Sequence, residues 1–293
     1  MPDQPEAQSG QARSAARKAL VRDAHLTIGG VGLHYRDWGD AAAPPLLLLH
    51  GTFQHAHTWD PVARGLADQY RVVALDWRGH GESDWAPTYS PEDALGDLVA
   101  LVGMLGLARF ALVGNSIGGR FAAVYAAQHP DQVTHVVMLQ GFVAGSSPPE
   151  VGAQIGQLLD LPGAFADLNE AAAAFRVVAP YASDVVLRQF VTHSLKQGAD
   201  GRWISRIDPP LRTRETMAII APTTAYVRDL LPRVTCPVLL IAGEQSFMDE
   251  SMRATAAMMP RAQVVTIPHA QHLALVDNPE GFLELVRPFL LED

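Results

Sequence analysis

Short apolar runs of strand length punctuate the chain at residues 45–50, 71–76, 109–114, 134–139, 237–242 and 263–267. Runs that are apolar throughout, rather than alternating, suit strands buried on both faces of a sheet. Between them, stretches at 57–68, 91–106, 117–129, 250–259 and 279–290 read as helices. Pro130 closes the third of these, and Asn278-Pro279 opens the last, as proline in a first helical turn can. Residues 25–28 and 31–35 predict an opening hairpin joined by Gly29-Gly30. The alternation predicts an α/β fold with a mostly parallel sheet of roughly eight strands, flanked by helices. It stops between about 143 and 214, where helical pieces broken by Gly145, Pro148, Pro149, Pro162, Gly163 and Pro180 take over. The expected organisation is a core over 23–142 and 215–293 with a helical insertion over 143–214. Residues 1–22 are polar and lack an apolar h-region, so a flexible leader is expected there rather than a secretory signal.

Composition narrows the function classes. A formal charge of -9, with no lysine or arginine run, argues against a nucleic-acid partner. No run approaches the roughly 18 apolar residues of a membrane span, so no membrane partner is expected. Cys236 is the sole cysteine and cannot form an intramolecular disulfide, which fits a reducing, cytoplasmic compartment.

The chemistry is carried by Gly114-Asn115-Ser116-Ile117-Gly118-Gly119, preceded by an apolar run and followed by a stretch rich in helix formers. Strand, sharp glycine turn and helix together make a Gly-x-Ser-x-Gly match into a nucleophile elbow. The glycines let the backbone turn tightly, and the helix N-terminus favours developing negative charge beside Ser116.

Two further segments flank this elbow in order. Pro45-Leu46-Leu47-Leu48-Leu49-His50-Gly51-Thr52 is a strand ending in His-Gly. Arg71 to Asp84 is a strand running into Asp76-Trp77-Arg78-Gly79-His80-Gly81-Glu82-Ser83. With these, the chain resembles the α/β-hydrolase family from about His25 to its C-terminus. The resemblance implies a lid at the insertion, over the sheet edge where open α/β sheets bind ligands. It implies Ser116 as nucleophile and a general base on the loop after the last strand. His272, in Pro268-His269-Ala270-Gln271-His272, fits that base, with His269 second. The oxyanion hole would use the backbone N–H of Ile117 and of Thr52, with Phe53 the alternative to Thr52. His50 reads as a loop brace, and Asp76, Arg78 and His80 as structural. His55 and His57 suggest a metal pair, but no third ligand at a metal-like spacing joins them, so neither metal nor cofactor is expected.

The triad acid departs from the family pattern. Ser246 and Gln140 occupy the two positions where the family places its carboxylate. Asp249 is the first candidate to replace it and Glu244 the second, with a Ser-His dyad as the remaining option. Serine at position 116 argues against the aspartate-using dehalogenases and epoxide hydrolases of this fold. What remains is a cofactor-independent serine hydrolase acting on a small-molecule carboxylic ester or lactone. A carbon–carbon bond hydrolase and a non-hydrolytic ligand-binding member are the alternatives. Phe165, Phe175, Phe190, Trp203 and Met217 in the insertion suit an apolar substrate or the insertion's own packing.

Overall fold

Leu46, Leu47, Leu48 and Leu49 are fully buried, yet they serve two different cores. Successive side chains of a strand point to opposite faces. Leu47 and Leu49 therefore pack with Val73, Leu112 and Phe121 on one face, while Leu46 and Leu48 pack with Val62, Val113 and Phe282 on the other. Each such leucine contributes roughly 1.5–3 kcal/mol through burial. A continuous apolar strand is thus the signature of a sheet covered on both sides.

The computed structural model describes residues 21–141, 143, 149–213, 215–216 and 224–292. Its main sheet contains β1 (Val21–Ile28), β2 (Val31–Trp38), β3 (Pro45–Leu49), β4 (Arg71–Leu75), β5 (Phe110–Asn115) and β6 (Val133–Leu139). After an insertion that holds β7 (Ala164–Phe165), β8 (Leu195–Gln197) and β9 (Trp203–Ser205), the sheet is completed by β10 (Val238–Gly243) and β11 (Ala262–Ile267). The order is β1-β2-β4-β3-β5-β6-β10-β11. Strand β2 runs antiparallel to both neighbours, and the pairs from β4 through to β11 are parallel. Helices Pro91–Met104 and Ile117–Gln128 cover one face, and Asp60–Leu66 and Pro279–Leu290 the other. This is the α/β architecture expected from the sequence.

Two boundaries differ. Strand β1 begins at Val21, inside the expected leader, and pairs along its length from Val21↔Trp38 to Ile28↔Val31. It is an edge strand whose alternate residues face solvent, so its polar positions concealed it. The insertion is also not purely helical. It holds helices Pro149–Leu159, Leu168–Phe175 and Asp184–Ser194, together with a three-stranded sheet in the order β7-β9-β8. Strands of two or three residues carry too few positions to reveal a period. Phe165, Phe175 and Phe190 are buried in a cluster formed largely by the insertion, with Trp203 against it. Met217 lies outside the described residues. That cluster also takes in Phe53, Ile117, Leu273 and Val276 from the core, so the insertion rests on the carboxyl ends of the strands. Among the described residues, no helix is long and apolar enough to cross a membrane.

Candidate active site

Ser116 stands between β5 and helix Ile117–Gln128 with φ 52° and ψ −117°, a strained conformation for a residue with a Cβ. Glycines make the turn possible. A Cβ on Gly118 would lie 2.2 Å from the Leu49 carbonyl oxygen, and one on Gly114 would lie 2.3 Å from the Gly118 backbone. The Ser116 N–H donates to the Leu139 carbonyl at 2.7 Å, which fixes the elbow to the end of β6. Ile117 begins the helix, and the first N–H groups of a helix lack intrahelical acceptors.

The loop after β3 lies against this elbow. Gln54 Oε1 accepts from the Gly51 N–H at 2.9 Å and from Asn115 Nδ2 at 2.9 Å, joining the loop to the residue before the nucleophile. Phe53, at φ 63°, makes the turn beside Thr52. Thr52 and Ile117 line one cavity of about 30 Å³ together with Trp77, Tyr89, Phe121 and Leu211. The two expected oxyanion residues therefore face the same space. His50 braces the loop, as its position suggested. Its Nδ1–H donates to the Gly51 carbonyl at 2.8 Å and its Nε2 accepts from the Trp77 N–H at 3.1 Å. Burial, with His80 beside it, pushes His50 down to about 3 and keeps it neutral.

Asp76 and Arg78 have structural partners. Burial opposes charge on Asp76, but bonds from His34 Nδ1 at 2.7 Å and from the Glu82 N–H at 3.0 Å prevail. They hold its carboxyl well below the usual range. Asp76 also accepts from the Ala56 N–H at 2.6 Å, tying two loops together. Arg78 grips Asp97 through Nε at 2.7 Å and Nη2 at 2.8 Å.

His272 is buried on the loop after β11, and burial pushes its pKa down to about 4. Its Nδ1 has no hydrogen-bond partner. The loop is positioned by two acids that hold its main chain. Asp277 accepts from the Gln271 N–H at 2.8 Å and from the Tyr181 N–H of the insertion at 3.0 Å. Burial raises the Asp277 pKa to about 6. Glu244 accepts from the His269 N–H at 3.2 Å, so the second candidate acid braces the loop by its backbone. Asp249, the first candidate, opens helix Asp249–Ala256 and is half exposed. It pairs with Arg253 at 2.7 Å, so the expected pairing of Asp249 with His272 is not formed. Ser246 is buried and donates to the Gly243 carbonyl at 2.7 Å. Gln140 is buried at the end of β6, and its Nε2 donates to the Gln271 carbonyl at 2.8 Å. The nucleophile and base loops are thus linked through the end of β6.

Partners for His57 that lie far away in sequence come close in the fold. The fold brings Glu82 and His193 to His57, with one possible ligand atom from each within 4.8 Å of the others. The imidazoles of His57 and His193 nevertheless lie face to face, with centroids 3.4 Å apart and planes 9° from parallel. Lone pairs lie in the ring planes, so parallel rings do not direct them at one tetrahedral ion. The stacked pair instead fastens helix Asp184–Ser194 of the insertion to the core.

Comparison with known proteins agrees with this architecture. The family model for the alpha/beta hydrolase fold matches residues 44–279. The chain is 30% identical to a 2-(acetamidomethylene)succinate hydrolase of Mesorhizobium japonicum, over 90% of its own length and 94% of the relative's. It is also 30% identical to epoxide hydrolase 3 of Xenopus tropicalis, covering 96% of this chain and 82% of that one. A solved E-2-(acetamidomethylene)succinate hydrolase superposes with a TM-score of 0.80 at 24% identity, covering 92% of this chain and 99% of the other. On the elbow, the sheet and a family match across most of its length, the chain belongs to the α/β-hydrolase fold family.

Proposed function

We propose that this chain is a cofactor-independent serine hydrolase that cleaves a carboxylic ester or lactone of an apolar small molecule. The observation that carries the reading is Ser116 itself, held in a strained turn at a helix N-terminus beside the cavity shared by Thr52 and Ile117. In this reading Ser116 Oγ attacks the substrate carbonyl while His272 takes its proton. The N–H groups of Thr52 and Ile117 receive the oxyanion. His272 then returns the proton to the leaving alkoxide, and water repeats the sequence on the acyl-enzyme. Serine at the nucleophile position favours ester chemistry over the epoxide opening named for one relative.

Two cavities adjoin the loop after β3, one lined by Thr52 and Ile117 and the other by Phe53, Gln54 and His55. Apolar residues dominate the second cavity, where Phe53, Leu158, Phe165 and Phe175 face one another, and this supports an apolar acyl or alkoxy group.

The test is a panel of chromogenic esters of increasing acyl length, with Ser116→Ala and a serine-reactive fluorophosphonate as controls. Ser116→Ala should remove turnover while leaving the thermal transition in place, and the probe should label wild-type protein stoichiometrically. A fully active Ser116→Ala would overturn the assignment. The unpartnered Nδ1 of His272 favours one competing reading, a ligand-binding member with no turnover. That protein would show neither labelling nor a burst with activated esters.

A further inference from the structure

His272 and Gln140 each carry one buried polar atom without a partner, Nδ1 on the first and Oε1 on the second. For Nε2 of His272 to accept the serine proton, the ring's own proton must sit on Nδ1. The imidazolium that forms carries a proton there too. A buried N–H without an acceptor is costly, and so is a buried amide oxygen without a donor. The two orphans are complementary.

The placement of Gln140 makes the match specific. Its backbone, at φ 53°, is fixed by donation to the Ile241 carbonyl at 3.0 Å. Its Nε2 donates to the carbonyl of Gln271, the residue preceding His272. A carbonyl only accepts, so the amide must turn its NH₂ toward Gln271, leaving Oε1 free. This removes the usual fault of an amide in place of a carboxylate, which is to offer its NH₂ to the imidazole and select the wrong tautomer. The Ser246 hydroxyl gives its one proton to the Gly243 carbonyl. The nearby carboxylates, Glu244 after β10 and Asp277 in helix Ala274–Asp277, accept from the backbone N–H groups of His269 and Gln271.

We infer that Gln140 is the positioning residue of His272, its Oε1 accepting the Nδ1 proton through one bridging water, where a triad carboxylate would otherwise stand. The inference rests on the serine-hydrolase reading above. A neutral acceptor sets the tautomer but adds no charge to stabilise the imidazolium, so this site trades rate for a histidine that stays neutral in acid.

The experiment uses the full chain, a chromogenic acetate ester and a fluorophosphonate, with thermal melting to confirm folding. Gln140→Met keeps the length of the side chain and removes the acceptor. Its kcat and labelling rate should fall about tenfold or more, with KM within about threefold. Gln140→Glu places a carboxylate beside the ring and should move the acid limb of kcat/KM upward by about one pH unit or more. Glutamate also loses the bond to the Gln271 carbonyl, so the limb, not the rate, is diagnostic for that variant. Gln140→Met at the wild-type rate, together with an unmoved limb in Gln140→Glu, would overturn the inference. If wild-type Ser116 is labelled while both variants behave as wild type, only the role of Gln140 falls. If neither wild type nor Gln140→Glu is labelled, the hydrolase reading falls and takes this inference with it.

Discussion

Ser116 is held by backbone, whereas His272 is held at one remove. The elbow is fixed by the Ser116 N–H on Leu139, by glycines pressed against β3, and by Gln54 bridging the loop after β3 to Asn115. The base sits on a loop fastened through the main chain of its neighbours, with Glu244 on His269, and Gln140 and Asp277 on Gln271. Its own Nδ1 is left without a partner. The nucleophile side is therefore rigid and intolerant of volume. The base side is assembled from replaceable polar contacts and is where substitution should tune the chemistry rather than end it.

The sharpest test of the rigid side is Gly118→Ala. The new methyl would meet the Leu49 carbonyl oxygen at 2.2 Å and the His50 carbonyl oxygen at 2.8 Å. Both are backbone atoms that cannot rotate away. A loss of about 3 kcal/mol or more is expected, read as failure to express in folded form or as a collapsed thermal transition. Survival at wild-type stability would mean that β3 and the elbow are less closely locked than described. Gln54→Leu acts one step further out. It strips the acceptor from Gly51 N–H and Asn115 Nδ2, each unpaired donor costing about 1–3 kcal/mol. Freed from that bridge, the Thr52 N–H should drift, and kcat should fall about 10–100-fold with fluorophosphonate labelling slowed in parallel. An unchanged kcat would detach Thr52 from the oxyanion role.

On the base side the first expectation concerns pH. His272 must be neutral to accept a proton, and burial lowers its pKa to about 4. Wild-type kcat/KM should therefore stay level from neutral pH to about 5 and fall through about 4, not through 6.5. Stability should weaken earlier, from about pH 6.5 downward, for a related reason. His50, His55 and His193 are held neutral, with pKa values near 3, 3 and 4. The unfolded chain takes up their protons near 6.5, while the folded chain refuses them until about 3–4. Unfolding is thus increasingly favoured as pH drops from 6.5, at up to about 1.4 kcal/mol per pH unit for each of the fully buried His50 and His55, and less for the half-buried His193. Melting temperatures followed between pH 7 and 4.5 should decline. A flat profile would place these rings in contact with water.

The same contrast explains what could be read from the sequence. The elbow was legible because its parts are contiguous: a strand, a glycine-flanked serine and a helix occupy neighbouring positions, so backbone geometry is written locally. Strands β3, β5 and β10 were legible because both of their faces are buried. The partners of the base were not. Gln140 and Gln271 are 131 positions apart, and Tyr181 and Asp277 are 96 apart. Only the order of strands β6, β10 and β11 brings the first pair together. His193 escaped notice in the same way, since its neighbour His57 lies on the other side of the insertion boundary. Asp249 has the right charge for the acid and lies close in sequence to β10. Charge and proximity in sequence do not specify direction, and a carboxylate in a helix's first turn has a competing partner one turn on, here Arg253.

The smallest expected effect is therefore the one that bears most directly on the acid. Asp249→Asn removes a half-exposed charge whose partner, Arg253, is also exposed. Such i,i+4 pairs are weak and screened by salt. Turnover within about twofold of wild type is expected, with an unchanged acid limb and a melting temperature within about 1 °C. Glu244→Gln should behave similarly for a different reason, because an amide oxygen can still accept the His269 N–H. Measured beside Gln140→Met, these two variants rank the three candidates on one scale. If Asp249→Asn slows the chemical step more than Gln140→Met does, the loop after β10 must refold on substrate binding to bring Asp249 to His272. The base would then be held by a carboxylate as firmly as Ser116 is held by backbone, and the contrast between the two sides would disappear.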